Sequence, residues 1–466
     1  MIFWIVQAAD EKPAADNGKI KIMKKNDEFE FECTDLSDQG FGIGHHDGLT
    51  VFVSDLLPQE KVIVRIIKMQ KTYAIGKVVQ RLVTSKDRVE PVCAQAGKCG
   101  GCALLHVNYE RQLAYKEKQL KDLFAKVDPD IEVLPPLGMD YPYYYRNKAQ
   151  FPIGIQDGRV VGGFYKARTN DIVPVEHCMI QSKKINEIYK WVLDHLSLNQ
   201  AESLRHLFIR HSDATGKVQV VFIGRQNKEL EGLTQKLVAA FPEVSSVVFN
   251  ENKRNDNVIL SDQYTVLYGS DSLDEKCLDL DIKLHFKSFF QVNPKQMEVL
   301  YAQALELADL HKTDEVIELY SGTGTIGLLA ARKAGHVTGV EIVPEAVENA
   351  KENQERNGIE NADFICMDAT KFAHQNTKPA DVVMVDPPRK GMTTRGIEDI
   401  AALAPKRVVY ISCNPRTLAR DLGEFKKVGY RALKIQPVDM FPNTTGMECA
   451  ALIVKDETLN AHIAGI

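Results

Sequence analysis

The sequence predicts an α/β protein. Its C-terminal part reads as a doubly wound, Rossmann-like, mainly parallel sheet, preceded by a small β-barrel and a central α+β domain. Three observations carry this expectation. From residue 286 to 466, apolar strand segments alternate with helical stretches, the pattern of parallel strands joined by crossover helices. Short β-rich runs separated by turn signals crowd residues 19–84, as in a small barrel of oligonucleotide-binding type. Residues 85–285 mix both kinds of segment. A length of 466 residues suits about three domains at ~150 residues each.

Residues 1–18 end in the polar EKPAADNG and are expected to form a flexible tail. The opening MIFWIV is short and lacks a basic flank and a cleavage site, so no signal peptide is read there and a cytoplasmic location is expected. No run approaches the ~20 apolar residues of a membrane span. The barrel strands are FEFECTDL, LTVFV, KVIVRIIKM and TYAIGKVVQRL. Residues 61–90 carry eight Lys and Arg, from Lys61 to Arg88, against two acids, in a chain of net charge −5. A local basic face of this kind can bind phosphate backbones although the whole molecule is acidic; an ordinary solvated strand surface has the same composition. Residues 86–110 form a cysteine-bearing loop, and 109–126 have helical periodicity with a charged face. The C-terminal strand candidates are VIELY, HVTGVEI, ADFICMDA, ADVVMVDPP and RVVYISC.

The strand VIELY runs into SGTGTIGLLAARKAG, where Gly322 and Gly324 permit a tight turn and close backbone approach before a helix. Glu341 ends the next strand, nineteen residues after Gly322, and a carboxylate there can accept hydrogen bonds from ribose hydroxyls. Gly322, Gly324 and Gly327 have the G-x-G-x-x-G spacing that dinucleotide sites also show. The strand, the E-x-x-S-G-T-G turn, the helix and the acid at the next strand end are together read as an adenosylmethionine site, with a dinucleotide as the alternative. Asp368, at the end of the third strand, can meet the adenine or ribose, or can cap the following helix.

The fourth strand ends in VVMVDPPRKG. Asp386 before two prolines gives a rigid turn at the carboxyl end of a strand. Amino-group methyltransferases often have an aromatic residue where Arg389 stands, which argues against N-methylation of adenine. The fifth strand ends in RVVYISCNP, which puts Cys413 at the mouth of the sheet. Carbon 5 of uracil is a poor nucleophile. A thiolate adding to carbon 6 makes an enolate whose carbon 5 can attack a sulfonium methyl group. A base must then remove the carbon 5 proton before the thiol leaves. Glu448, in TTGMECAALIV just before a late apolar strand, is the candidate base. Cys366 and Cys449 sit next to apolar residues and fit the ordinary fate of a free cysteine, that of a buried small hydrophobe.

The nine cysteines, an odd number in a chain without an export signal, do not suit a disulfide framework. Cys93, Cys99, Cys102 and Cys178 have the spacing C-x5-C-x2-C followed by C-x75-C. All-thiolate ligation suits zinc or an iron–sulfur cluster. The C-x3-C-x2-C of radical enzymes and the paired knuckles of a zinc ribbon are both absent. YYYRNKAQF, with Arg146 and Lys148, and RHLFIRH, with Arg205, Arg210 and His211, interleave aromatic and basic groups. Such stretches suit single-stranded RNA and equally suit an exposed strand.

The motifs SFFQVN, ELYSGTGTIGL, VDPPRKG, ISCNP and GMECAALI resemble those of the bacterial RNA uracil-5 methyltransferases of the RumA/TrmA type, in particular the iron–sulfur branch acting on 23S ribosomal RNA. The resemblance runs from about residue 19 to the end. It implies that residues 19–84 form an RNA-binding TRAM domain, and that the helix near 109–126 packs on the class I methyltransferase domain. It implies that Gln291, Tyr320, Glu341 and Asp386 contact S-adenosylmethionine, with Thr325 and Asp368 at two further cofactor positions. Cys413 would be the nucleophile, Glu448 the general base, and Phe289 a stacking platform for a flipped base. The four cysteines, within CGGC and EHC, would be the ligands of a 4Fe–4S cluster. The expected partner is RNA, most of all 23S rRNA. A transfer RNA substrate is the neighbouring reading; a non-catalytic RNA-binding assembly factor is a second class of function.

Overall fold

The computed structural model describes residues 23–226, 229–376 and 378–456; the tail 1–18 lies outside them. The described residues fall into two compact units. One gathers the residues up to Val92 with Cys102–Tyr115 and Asn443–Thr445, and the second holds the rest.

In the first unit, β1 (Glu28–Glu32), β2 (Asp35–Leu36), β3 (Gly42–His46), β4 (Leu49–Val53), β5 (Lys61–Met69) and β6 (Tyr73–Val83) make one sheet in the order β1-β5-β6-β4-β3-β2. Alternation decides its inner face. Val62, Val64 and Ile66 of β5 are buried with Phe31, Val51 and Val53, while Lys61 and Arg65 point outward beside Glu32 and Glu28. Asp47 and Gly48 both have positive φ, 47° and 76°, the backbone that a two-residue β3–β4 hairpin requires. The basic run is partly spent internally: the buried Glu60 carboxylate accepts from Arg81 at 2.6 Å and from Arg88 at 2.7 Å. Although burial alone would raise it, the Arg88 guanidinium and the Leu57 and Ser85 amides hold Glu60 below the usual carboxylate range. Among the described residues Lys68, Lys71, Lys77 and Lys86 have no ion-pair partner, so they remain the free cations of that run.

In the second unit, β7 (Glu132–Val133) is a short edge piece. Strands β8 (Lys148–Gln156), β9 (Arg159–Tyr165), β10 (Ile172–Pro174), β11 (Leu204–His211), β12 (Val218–Gly224), β13 (Val244–Glu251) and β14 (Tyr264–Gly269) form a sheet ordered β10-β9-β8-β11-β12-β13-β14. The helices Lys183–His195 and Leu230–Ala240 bury their apolar stripes against it. The hairpin of β15 (Ser272–Cys277) and β16 (Leu280–His285) follows.

The last sheet holds β17 (Glu315–Leu319), β18 (His336–Glu341), β19 (Ala362–Cys366), β20 (Val382–Val385), β21 (Arg407–Ser412), β22 (Tyr430–Val438) and β23 (Glu448–Lys455). Its order is β19-β18-β17-β20-β21-β23-β22-β7. Strands β17 to β21 are parallel, and β23 is antiparallel to both β21 and β22. The chain moves outward from β17 through β18 to β19 and then crosses back to β20. That reversal opens a crevice at the carboxyl ends of β17 and β20, where doubly wound sheets bind ligands. Helices cover both faces. Met297, Leu300 and Ala304 of Pro294–Ala308 belong to one apolar layer. Leu418, Leu422 and Phe425 of Pro415–Lys427 belong to the other, together with Leu120 and Phe124 at the end of the helix Tyr109–Phe124.

Candidate active site

The turn after β17 is built from backbone that only particular residues adopt. Tyr320, Gly322 and Gly324 have φ of 65°, 55° and 77°. A Cβ at Gly324 would stand 2.7 Å from the Phe364 ring and 2.9 Å from Ala350, so glycine is required twice over there. A Cβ at Gly322 would meet no protein atom within 4 Å; the space beside it is open. Glu341 closes the far side of the turn. Its carboxylate accepts the amide protons of Gly322 at 3.0 Å, Ile342 at 2.8 Å and Val343 at 2.9 Å. Three charge-assisted bonds fix that carboxylate while leaving lone pairs for a ribose. Thr325 lies in the first turn of the helix Thr325–Ala331, its Oγ1 3.3 Å from that of Thr323. Asp368 caps the helix Ala369–Gln375, accepting from the Lys371 amide at 2.9 Å. Its charge is also felt by Tyr320, whose hydroxyl is raised first by burial and next by Asp368. The cap role is therefore real, and it leaves Asp368 beside Tyr320.

At the crevice, Asp386 follows β20, Cys413 follows β21, and Glu448 opens β23. Ser412 pairs with Cys449 in the antiparallel ladder. One step further along, Cys413 and Glu448 are therefore neighbours across two strands that lie 35 residues apart in sequence. Their electrostatics agree. Burial, then Glu448, then Asp386 push the Cys413 thiol up to about 11, with Arg389 opposing. Burial and Asp386 push Glu448 up to about 8, again opposed by Arg389. Burial alone raises Asp386 to about 7. A pocket that holds three acidic groups above their usual ranges is poised for a cation and for proton transfer.

The two loops that carry these groups are fastened together. Asn414 donates to the Arg389 carbonyl at 3.1 Å, and the Thr417 hydroxyl donates to it at 3.3 Å. The buried Asp421 accepts the Met392 amide at 2.8 Å and the Tyr410 hydroxyl at 2.6 Å.

The SFFQVN segment splits its two phenylalanines. Phe290 is 4% exposed in the core and Phe289 is 66% exposed. Gln291 is buried, and its carbonyl accepts from the Asn147 side chain at 3.3 Å, which ties this segment to the Arg146–Lys148 stretch. The Lys148 ammonium lies 6.0 Å from the centre of the Phe289 ring. Desolvation first, then the guanidiniums of Arg210 and Arg146, hold it down to about 7. Arg210 is fully enclosed and donates to the Ser288 carbonyl at 3.0 Å. Arg205 and His211 serve elsewhere: Arg205 holds the carbonyls of Arg254 and Val258, and His211 faces Asp213 at 3.1 Å.

Two groups at the site carry no role in the sequence reading. Glu318, in the middle of β17, is buried, and among the described residues one of its carboxylate oxygens has no hydrogen-bond partner. Burial and then Asp386 push it well above its ordinary value. An acid inside the otherwise apolar VIEL was the available signal. Tyr301, buried on Pro294–Ala308, is raised by burial and by Asp386, Cys277, Glu318 and Glu448; on a helix face it reads as core.

The four cysteines expected to bind a metal do not assemble as a closed set: among the described residues no group of three or more His, Cys, Asp or Glu is placed to hold a metal ion. Cys93, Cys99 and Cys178 are nevertheless within electrostatic reach of one another, since Cys99 feels Cys93 and Cys178 feels both. Backbone amides of Ile180 and Gln181 point at the Cys178 sulfur, and that of Gly101 at the Cys99 sulfur. The Asn186 side chain clamps Cys178 at both its backbone N–H, 2.7 Å, and its carbonyl, 3.0 Å.

The chain has clear relatives among known proteins. The profile of the family described as tRNA (Uracil-5-)-methyltransferase matches residues 108–456, and that of the TRAM domain matches residues 24–79. An uncharacterized RNA methyltransferase of Halalkalibacterium halodurans is 39% identical over 92% of this chain and 98% of its own. One of Clostridium tetani is 40% identical over 92% of this chain and 97% of its own. The crystal structure of Pyrococcus abyssi tRNA (uracil-54, C5)-methyltransferase in complex with S-adenosyl-L-homocysteine has a TM-score of 0.72 and 25% identity. It covers 91% of this chain and 100% of that one.

Proposed function

The chain belongs to the tRNA (uracil-5-)-methyltransferase family, and from that premise we propose that it methylates carbon 5 of a uridine in RNA, with Cys413 as nucleophile and Glu448 as base. The observation that carries this reading is the β21–β23 register, Ser412 opposite Cys449, which brings a thiol and a raised carboxyl into one pocket.

S-adenosylmethionine, when bound, supplies a methyl group on a positively charged sulfur. The residues fit such a group. Gly322 leaves open space, Glu341 offers a fixed carboxylate, and the carboxyls of Asp386 and Glu318 lie buried where a cation would relieve their desolvation. Gln291, Tyr320, Thr325 and Asp368 complete the proposed wall. Phe289, exposed beside Lys148, stacks the extruded base, and Arg146 and Lys148 contact the RNA.

The Cys413 thiolate adds to carbon 6 of uracil, and the electron pair of the 5,6 double bond moves into an enolate. Carbon 5 takes the methyl group and thereby becomes tetrahedral. Glu448 removes the proton left on carbon 5. The electrons re-form the double bond, and the Cys413 sulfur leaves as thiolate.

We assign Cys93, Cys99, Cys102 and Cys178 to a 4Fe–4S cluster. The donor chemistry is all thiolate, three of the thiols share one electrostatic neighbourhood, and amides point at two of the sulfurs. Anaerobically purified protein is expected to hold iron and acid-labile sulfide in equal amounts; zinc alone would refute the assignment.

The RNA is read as 23S rRNA, on the strength of the cysteine set together with the TRAM domain. The family description and the Pyrococcus abyssi enzyme favour transfer RNA as a second reading. Mapping 5-methyluridine in total RNA from a deletion strain, before and after adding back the protein, tests both. Restoration at a ribosomal uridine supports the first, and restoration at a transfer RNA uridine supports the second. No change in either RNA overturns the proposed reaction.

A further inference from the structure

Away from the Cys413 pocket, the central sheet carries a cleft of about 500 Å³, lined by Tyr165, Glu202, Arg205, His206, Arg225 and the loop Asn252–Asn257. That volume falls in the range of small-ligand sites. Three features mark it as built. His206 is only 3% exposed, yet among the described residues its Nδ1 has no hydrogen-bond partner. A buried polar atom without a partner is destabilising, so a site that tolerates one is suited to a ligand that satisfies it. The other ring nitrogen is engaged 3.4 Å from the Tyr165 hydroxyl. Desolvation, and then Arg205, hold His206 down to about 4, so it meets the cleft as a neutral imidazole.

The second feature is the wall. Arg205 donates to the carbonyls of Arg254 at 2.9 Å, Val258 at 3.1 Å and Asp256. The buried Asn252 side chain donates to those of Val258 at 2.9 Å and Ile259 at 2.7 Å. The loop is therefore held from both ends rather than draped over the opening. The third feature is chemical composition. Tyr165 presents a ring 39% exposed at the rim, and three arginines face two carboxylates, of which Asp256 is already paired with Arg254.

A flat aromatic face, a neutral donor-or-acceptor nitrogen, amide side chains and surplus guanidinium charge are the components that hold an unpaired nucleotide. The strand that carries Tyr165 is also fastened to the cysteine loop, through the Cys99–Lys166 bridge and the Gly100 amide on the Tyr165 carbonyl at 3.3 Å.

We propose that this cleft binds a second unpaired base of the RNA, separate from the uridine offered to Cys413. The inference rests on the reading of the chain as an RNA-modifying enzyme, and its test is kept independent of methyl transfer. Full-length Tyr165→Ala and, separately, Arg225→Ala are titrated with a single-stranded RNA oligomer of mixed sequence and with total rRNA, alongside melting curves. Both side chains lie at the rim, so the fold is expected to survive. Affinity is expected to fall about tenfold in each variant, as for the removal of one stacked or phosphate-bound nucleotide, with the melting temperature unchanged in Arg225→Ala and somewhat lowered in Tyr165→Ala, which also loses the hydroxyl beside His206. Unchanged affinity in both variants overturns the proposal. A melting shift with adenosine or uridine monophosphate, while RNA affinity stays at the wild-type value, also overturns it and reassigns the cleft to a free nucleotide. If wild-type protein transfers no methyl group but the affinity loss persists, the reaction reading falls and the cleft stands.

Discussion

Cys413 and Glu448 share a pocket with Asp386: beyond burial, Glu448 and Asp386 make it harder for the Cys413 thiol to ionise, and Asp386 does the same to Glu448. The thiol, pushed up to about 11, is protonated at neutral pH unless a cation arrives. Alkylation of Cys413 is therefore expected to be faster beside positively charged S-adenosylmethionine than beside neutral S-adenosylhomocysteine; equal rates would remove the electrostatic argument. Glu448→Gln is expected to let the Cys413–uracil adduct form and to stall its release, visible as a protein–RNA complex that persists on a denaturing gel.

The same residue sets a stability trend. Glu448 titrates at about 8 in the fold against an ordinary 4.5, so the folded state binds the extra proton between those limits. The stability tied to that proton is fully present below 4.5 and is lost as pH rises through about 8, at up to ~1.4 kcal/mol per pH unit. Glu448→Gln is expected to gain melting temperature relative to wild type across that window; parallel curves would contradict the assignment.

Among the elements, the β17 turn was legible because its constraints are local. Glycine is the residue that takes φ of 77° with a phenylalanine ring 2.7 Å from where a side chain would begin. Gly324→Ala is accordingly expected to cost ~1–3 kcal/mol and to weaken cofactor binding, measured by denaturant unfolding and calorimetric titration. The five parallel strands were legible for the same reason, as apolar runs bounded by turns and helices.

The helix Tyr109–Phe124 shows where sequence falls short. Its periodicity marks a helix, but nothing local says that Lys116 meets Asp439 at 2.7 Å, with both buried. Lys116→Ala, which removes the cation paired with the buried Asp439 carboxylate, is expected to cost ~3–5 kcal/mol, whereas an exposed pair such as Lys118–Asp122 should cost under ~1 kcal/mol. Glu318 and Tyr301 were missed because their roles depend on strands and helices that converge only in the folded chain. The cysteine spacing pointed to one four-ligand set, whereas the fold brings three of those thiols within electrostatic reach and closes no set among the described residues.

At the scale of the whole molecule, the acidic sum and the basic barrel run are reconciled by pairing. Arg81 and Arg88 are committed to Glu60, and four lysines of that run remain for phosphates. Replacing Lys68, Lys71, Lys77 and Lys86 together by glutamine is expected to weaken RNA binding across sequences. The slope of log affinity against log salt should become shallower by up to about 0.9 for each phosphate that the variant no longer neutralises. The most direct measurement concerns the pocket itself. RNA carrying 5-fluorouridine at the target position has no proton on carbon 5 for a base to remove, so a covalent intermediate formed through a cysteine is trapped. Incubated with the protein and S-adenosylmethionine, digested and sequenced by mass spectrometry, it is expected to yield a methylated fluorouridine joined to the peptide containing Cys413, and none with Cys413→Ala. An adduct on another cysteine, or efficient methylation by Cys413→Ala, would contradict the account.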